Sequence, residues 1–478
     1  MPLPWWMSKS TTATRASPAA WAAMAAIATV LFFFTPTLVS LFAPGIAGDA
    51  ASRADLILLV QILLLQPILL GASNILAALT QLQNRFFLYA ISPLLYNLGI
   101  IIGIIFLYPK MGIAGLGWGV VLGAFLHVFL QLPFFAAEKS KPLPKKEFVP
   151  SFFEVLKLSV PRTLALASGQ LSLLALIALA SFFATGSIAV FMFAWNLQSV
   201  PLAIIGVSYS VAAFPTLARY HASGNRAEFI RHIEEALRHM VFWSVPAIVL
   251  TIVLRAQLVR VILGSGEFDW DATRLTAAAL ALFVVSLAAQ SISLLIARAY
   301  YAAGKTKMPL IFGLVSLVVT VSSAFVFILL FHSSGFARYF LESLFRVSGI
   351  GGTSVLLLAL SYSLGALTQC ALGMFYFGRD FSVSYTSLKR LLFQSFCASV
   401  IGGAAAYLTL TIVGSLVDIN TTVGIVAQGT LGGVSGIIAV ILILLLLKNQ
   451  ELRETLMALK LRLRDRQPVA LEPTDVSS

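Results

Sequence analysis

Charge is what this sequence has least of. Only 11% of its 478 residues are Asp, Glu, Lys or Arg, while 59% are hydrophobic, against roughly 25% charged in an ordinary soluble domain. A soluble globular fold is excluded. Cysteine is nearly missing as well: Cys370 and Cys397 both lie in apolar stretches, so neither a disulfide framework nor the ligand spacing of a metal site is available. The five histidines are scattered, and no HExxH, GxSxG, phosphate loop or paired-carboxylate spacing occurs in a plausible context. These absences argue against an enzyme and imply no cofactor. Acidic residues are absent from all the long apolar runs described next, which removes the intramembrane carboxylate that a cation or drug exporter would use to bind its substrate or a proton.

What the sequence does contain is apolar runs of bilayer-spanning length, about 20 residues each. Twelve are read, at roughly 20–42, 56–82, 86–108, 112–136, 158–184, 187–216, 239–264, 275–303, 308–331, 351–377, 387–415 and 421–447. The expected fold is an all-α polytopic membrane protein of about 12 transmembrane helices. Prolines 67, 93, 201 and 246 and the glycine run from Gly112 to Gly119 interrupt several runs. Such breaks persist in a bilayer where neighbouring helices or a water-filled cavity satisfy the freed backbone groups.

An even number of spans puts both termini on one side. With the N-terminus cytoplasmic, 25 of the 32 basic residues fall on the cytoplasmic side and 7 on the other (Arg53, Lys110, Arg255, Arg260, Arg274, Arg338 and Arg346). That is a strong positive-inside bias. Seven of the 19 acidic residues lie outside, so the whole net charge of +13 is cytoplasmic and reports orientation. It is no argument for nucleic acid as a partner. The stretch Ala222–Met240 carries Phe229, Ile233 and Leu237 at four-residue spacing, which reads as an amphipathic helix on the cytoplasmic interface with a solvated charged face. The tail from Glu451 to Arg466 has the same character.

A weak internal repeat relates the four-helix blocks 20–136 and 239–377. In each, an apolar helix with a Leu-Val signature (Leu38-Val39, Leu258-Val259) precedes an acidic loop, a polar-dotted helix (Gln61, Gln66, Asn74; Ser286, Gln290, Ser293), a basic turn and a proline-bearing helix. Two further helices precede the second block, whereas only about 20 residues precede the first. If each lobe holds six helices, the first lacks two. The expected organisation is a segment 1–19, an incomplete four-helix N-lobe over 20–137, a basic linker over 138–157, a six-helix C-lobe over 158–378, two extra helices over 387–447 and a cytoplasmic tail over 448–478.

Polar residues within spans cost free energy unless they are paired or face a cavity. Gln170 with Ser172, and Asn196 and Gln198 in Trp195-Asn196-Leu197-Gln198-Ser199, form the densest set, with Asn74 and Asn97 as counterparts in the first block. Each alone reads as a bridge between helices; together they read as the lining of a polar interior. Arg162 and Arg298, near cytoplasmic span ends, read equally well as ligands for an anionic headgroup or as snorkelling side chains. His127 reads as a helix-packing or interfacial residue, with a proton relay as the alternative.

Ordered motifs give the chain a family resemblance. They are Pro93-Leu94-Leu95-Tyr96-Asn97-Leu98-Gly99, Gly115-Leu116-Gly117-Trp118-Gly119 through Gln131-Leu132-Pro133, Ala180-Ser181-Phe182-Phe183-Ala184-Thr185-Gly186-Ser187, Pro201-Leu202-Ala203-Ile204-Ile205-Gly206, Phe214-Pro215-Thr216-Leu217 and Tyr300-Tyr301-Ala302-Ala303-Gly304-Lys305. In order and spacing they resemble the MurJ (MviN) lipid II flippases of the multidrug/oligosaccharidyl-lipid/polysaccharide exporter superfamily, over about Trp21 to Leu447. The resemblance implies two lobes around a V-shaped cavity plus two helices forming a lipid-tail groove. It also implies alternating-access transfer of an undecaprenyl-pyrophosphate-linked peptidoglycan precursor to the outer leaflet of the bacterial cytoplasmic membrane, with membrane lipid and cell-wall synthesis proteins as partners. The polar and basic residues read above, Asn196, Gln198, Gln170, Arg162, Asn74, Asn97 and Arg298, are the candidates to line such a cavity. Two departures stand out. The family's first two helices, with their cavity arginines, have no positions here, which suggests a start further upstream or a partial gene, and a family arginine corresponds to Asn196. The alternatives are another exporter of the superfamily, for lipid-linked polysaccharide or drugs, and a non-transporting membrane scaffold.

Overall fold

A computed structural model of the chain describes residues 5–46, 49–82, 86–132, 145–264, 268–418 and 421–464. Among these residues the secondary structure is all helical. Ten helices are long and apolar enough to cross a membrane; the pair Trp270–Val284 and Leu287–Ala302, bent by 44°, supplies an eleventh, and the apolar helix Ile113–Phe129 has 17 residues. Each of the twelve apolar runs therefore has a helical counterpart. The tally of twelve crossings is reached only by counting both the bent pair and the short helix, which spans about 25 Å at 1.5 Å per residue. The helices also run past the apolar runs, so Glu228 and Asp380 lie in helical end turns and Asp55 lies in the second turn of Ala50–Leu63.

The chain divides into two compact units, residues 1–163 with 177–183 and residues 164–176 with 184–478. In the first are α1 (Trp5–Phe42), α2 (Ala50–Leu63), α3 (Leu65–Leu82), α4 (Phe86–Ile102) and α5 (Ile113–Phe129). Asp49 caps α2, accepting from the Ser52 amide at 3.2 Å. Those bonds to the Ser52 hydroxyl and amide hold its carboxyl below the usual carboxylate range. His127 on α5 packs as expected, its Nδ1 2.6 Å from Ser73 Oγ on α3.

The glycine run behaves differently from the expectation of helix breaks. Only Gly112 needs a special backbone (φ +58°), at the start of α5; Gly115, Gly119 and Gly123 lie within the helix, at four-residue spacing, and are buried. A Cβ on Gly119 would sit 2.5 Å from Gly103 Cα, and one on Gly115 would sit 2.5 Å from the Leu107 carbonyl carbon. The glycines let α5 approach α4 and its continuation at backbone contact, as small residues do in membrane helix pairs. The continuation, Gly103–Leu107, is a single wide turn with an i→i+5 bond.

The second unit contains part of α6 (Lys145–Ala180), then α7 (Ser187–Leu202), α8 (Ser208–Ala222), α9 (Arg226–Leu263), α10 (Trp270–Val284), α11 (Leu287–Ala302), α12 (Lys307–Ser333), α13 (Gly335–Phe345), α14 (Val355–Phe381), α15 (Thr386–Leu416), α16 (Thr422–Leu446) and α17 (Gln450–Arg464). Pro201 precedes another wide turn, Ala203–Val207, where the missing amide leaves the helix free to widen. α9 corrects a second expectation. Its 38 residues, about 57 Å long at 1.5 Å per residue, include the stripe Phe229, Ile233 and Leu237, which is fully buried in the unit's core with Tyr300, Phe377 and Phe381. The stripe is the buried face of a spanning helix extended beyond the bilayer, and it packs on protein where an interfacial helix was expected. Arg231 and Glu235 form the solvated side.

The tail is tied to this end of α9. Glu451, 7% exposed, lies 3.4 Å from Arg238 Nε, and Asn449 donates to Gln394 at 2.9 Å. Leu452 is buried beside them. Removing one partner of a buried ion pair strands the other charge. Glu451→Gln is therefore expected to free α17, so that limited trypsin treatment cleaves at Arg453 and Lys460 earlier than in the parent protein. Unchanged cleavage kinetics would show that the Asn449–Gln394 bond and the buried Leu452 hold α17 without the ion pair.

Candidate functional site

Within the second unit, helices α7, α11, α12 and α14 and residues 165–172 of α6 enclose a cavity of about 260 Å3. Its polar walls come from Ser168, Ser172, Trp195, Gln290, Tyr362 and Gln369. Gln290 is central. Its Nε2 donates to Gln198 Oε1 at 3.3 Å and to Ser286 Oγ at 2.9 Å, and its Oε1 accepts from the Tyr362 hydroxyl at 3.5 Å. Ser286 Oγ lies 3.2 Å from Ser363 Oγ, which donates to the Leu282 carbonyl. Tyr362 is held edge-to-face by Trp195 (4.7 Å between centroids) and Phe283 (5.6 Å).

One polar atom of the network is left over. Gln198 is fully buried and its Nε2 has no partner, an arrangement that costs about 1–3 kcal/mol for a buried donor. Such an orphan marks either strain or a place where another acceptor belongs. Neither a carboxylate nor a cation lines this cavity among the described residues. The walls therefore offer neutral donors and acceptors suited to hydroxyls and amides.

Of the residues singled out in the sequence, Gln198 belongs to the network. Gln170 is exposed and outside the cavity lining, although its neighbours Ser168, Gly169 and Ser172 line it. Asn196 is exposed, one residue from Trp195. Arg298 is half-buried and has interactions of its own; Ala297 and Tyr301 beside it reach the cavity. Asn74 and Asn97 are exposed residues of the first unit. The Arg162 side chain lies outside the described residues. Gln290, Ser286 and Tyr362 were not singled out as site residues. The signal for them was present: Ser286, Gln290 and Ser293 recur at i, i+4 and i+7 in an otherwise apolar run, the spacing of one helix face.

Comparison with known proteins adds the following. The sequence model of the family described as lipid II flippase MurJ matches residues 13–426. A probable lipid II flippase MurJ of Bdellovibrio bacteriovorus is 30% identical over 245 residues, 50% of this chain and 47% of that protein. The lipid II flippase MurJ of Burkholderia cenocepacia is 25% identical over 300 residues, 61% of this chain and 58% of that one. The chain thus spans about half the length of the curated relatives it matches. Among solved structures, a lipid II flippase MurJ in an inward closed conformation superposes with a TM-score of 0.68 at 21% identity, covering 92% of this chain and 85% of that one. An inward-facing multidrug resistance MATE transporter of the MOP superfamily gives 0.62 at 13% identity, covering 80% and 82%. At these identities the structural likeness speaks for the fold.

Proposed function

The chain belongs to the MurJ lipid II flippase family, and from that membership we propose that this multi-pass membrane protein is a transporter, not an enzyme. Its substrate is a lipid-linked peptidoglycan precursor, which it moves from the inner to the outer leaflet of a bacterial cytoplasmic membrane by alternating access, with both termini cytoplasmic. The observation that carries the reading is the family match over residues 13–426. The neutral, hydrogen-bonding cavity at Gln290, which is backed by the buried Gln198, supports it, because sugar and peptide groups need such partners away from water. On this reading Asn196, Gln170, Arg162, Asn74, Asn97 and Arg298 serve the passage of the headgroup, and Arg162 and Arg298 meet its diphosphate as charged donors. The four-helix and six-helix lobes and the partnership with cell-wall synthesis proteins belong to the same proposal.

The test is depletion of the protein in its host, followed by a membrane-impermeant enzyme that cleaves exposed precursor. Cleavage is expected to fall at least tenfold while total precursor accumulates. Undiminished cleavage after depletion would refute the reading. The drug-exporter alternative makes the opposite prediction, namely unchanged precursor exposure with raised drug sensitivity. The lack of an acidic residue in the apolar runs speaks against it.

A further inference from the structure

The external side was expected to carry few basic residues, yet several of them converge. A cleft of about 530 Å3 in the second unit is lined by Arg255 of α9, Arg274 of α10 and Arg346 of the turn after α13, together with Trp270, Tyr407 and Gln428. It lies at the end of the unit away from the basic start of α9 (Arg226, Arg231 and Arg238) and from Lys305, Arg379 and Lys389. Its volume falls in the roughly 300–1,000 Å3 range of small-ligand sites.

Three features of the cleft point to an anion. The first is uncompensated charge. Arg255 and Arg346 are close enough to repel each other, and neither has a carboxylate partner among the described residues. Arg274 has one, the exposed Asp271, at 4.0 Å. The second is depth. Arg255 lies eight residues before the end of α9 at Leu263, about 12 Å along the helix at 1.5 Å per residue. An arginine within a spanning helix is costly unless something pairs with it, and among the described residues its guanidinium hydrogen-bonds the Ile252 carbonyl alone, from Nη1 at 2.7 Å. The third is a held geometry. Arg346 adopts the left-handed conformation (φ +57°) that L-residues avoid. It is fixed by its own amide to Ser343 O at 3.1 Å, by Val347 N–H to Glu342 O at 2.8 Å and by a contact from Arg274 Nη2 to its carbonyl. The buried Glu342 carboxylate, accepting from Thr353 and Arg338 at 2.9 Å each, pins the turn.

The surroundings distinguish a lipid from a free ion. Tyr407, which lines the cleft, is itself 54% exposed, and it continues into Leu408, Ile412 and Leu416 on α15 and Val423 and Val426 on α16, all exposed and apolar. The cleft thus opens beside a surface suited to acyl or polyprenyl chains. Guanidinium forks match phosphate oxygens better than point charges do. We propose that the Arg255–Arg274–Arg346 cleft binds the phosphate or diphosphate headgroup of a membrane lipid on the external side, apart from the Gln198–Gln290 cavity. The site goes beyond the transport reading and stands without it, since binding is measured on the purified chain.

The experiment uses the full-length protein in neutral detergent, titrated with farnesyl diphosphate, farnesol and inorganic pyrophosphate while retention of each is followed by native mass spectrometry. Farnesyl diphosphate is expected to bind at least tenfold more tightly than either of the others. Arg346→Gln, whose exposed side chain leaves the fold untouched, and Arg255→Gln should each weaken it about tenfold, the worth of one charge-assisted hydrogen bond. Arg346→Lys, which keeps the charge but not the fork, should fall between the parent and Arg346→Gln, and Lys110→Gln in the first unit should keep all of the affinity. Thermal unfolding of each variant in the same detergent separates lost binding from lost fold. Equal binding of farnesol, or unchanged affinity in Arg346→Gln, would overturn the anion site. Pyrophosphate binding as tightly as farnesyl diphosphate would overturn the lipid as its occupant.

Discussion

Gly119→Ala should sharply reduce the yield of folded protein, whereas Gly169→Ala should leave it unchanged or slightly improved. The two substitutions add the same methyl group to an apolar helix, so helix propensity favours both by up to about 1 kcal/mol. Their surroundings differ. A Cβ on Gly119 would lie 2.5 Å from Gly103 Cα and 3.2 Å from its nitrogen, which are backbone atoms with no rotamer to change; a Cβ on Gly169 meets nothing within 4 Å. Gly99 and Gly123 are in the same position, each built against backbone of the facing helix. Inserting a methyl therefore forces α4 and α5 apart along their length. Overpacking costs about 1–3 kcal/mol at a single site, and a pair with Gly103→Ala should lose at least twice that, a large share of the roughly 5–15 kcal/mol that holds a domain together. Monodisperse yield on size-exclusion chromatography and unfolding temperature in detergent read the effect. Normal yield of the double variant would mean that the helices tolerate a wider spacing.

This glycine pair also shows what the sequence could and could not reveal. Twelve apolar runs are legible because hydropathy and span length are properties of composition, and all twelve correspond to helices. Whether a glycine breaks a helix or packs it is a matter of what lies opposite. Gly112 and Gly119 look alike in the sequence, yet one supplies a positive φ and the other a close backbone approach. The stripe of Phe229, Ile233 and Leu237 is a similar case. Its four-residue period identifies a helix with one apolar face, but the period is the same whether that face meets lipid or protein. Only the neighbours Tyr300, Phe377 and Phe381, far away in sequence, decide it.

The candidate site was partly legible for a related reason. Gln198 stood out because polar residues are rare in its run, and so did Asn196 and Gln170, but one helix places successive residues about 100° apart. Gln198 and Trp195, three apart, share a face toward Gln290 and Tyr362, while Asn196 turns away from it. Sequence rarity finds the helix that carries a polar site, and helical phase together with the facing helices selects the residue. The charged cleft at Arg255 escaped notice because its three arginines come from separate elements, and within each one the arginine looks like an ordinary residue near a span end.

Gln290→Leu should destabilise the protein more than the double variant Gln198→Leu/Gln290→Leu does. A hydrogen bond between membrane helices is worth about 0.6 kcal/mol on average, so simple loss of the 3.3 Å Gln290–Gln198 bond would be minor. The larger effect comes from what is left behind. With leucine at 290, both polar atoms of the fully buried Gln198 lack partners, as Nε2 already does, and the Tyr362 hydroxyl loses the acceptor it has at 3.5 Å. Stranding such groups costs about 1–3 kcal/mol each, so the single variant should lose about 2 kcal/mol or more. Replacing both glutamines removes the stranded amide as well and should recover most of that loss. Unfolding temperatures of the parent, the two singles and the double form the cycle that measures the coupling. The cycle also separates structure from transport. If the network serves the passage of the precursor headgroup, the double variant will fold nearly as well as the parent yet expose at least tenfold less precursor on the outer leaflet. Recovery of exposure together with stability would reduce the glutamine pair to packing and move the substrate's polar contacts away from this cavity.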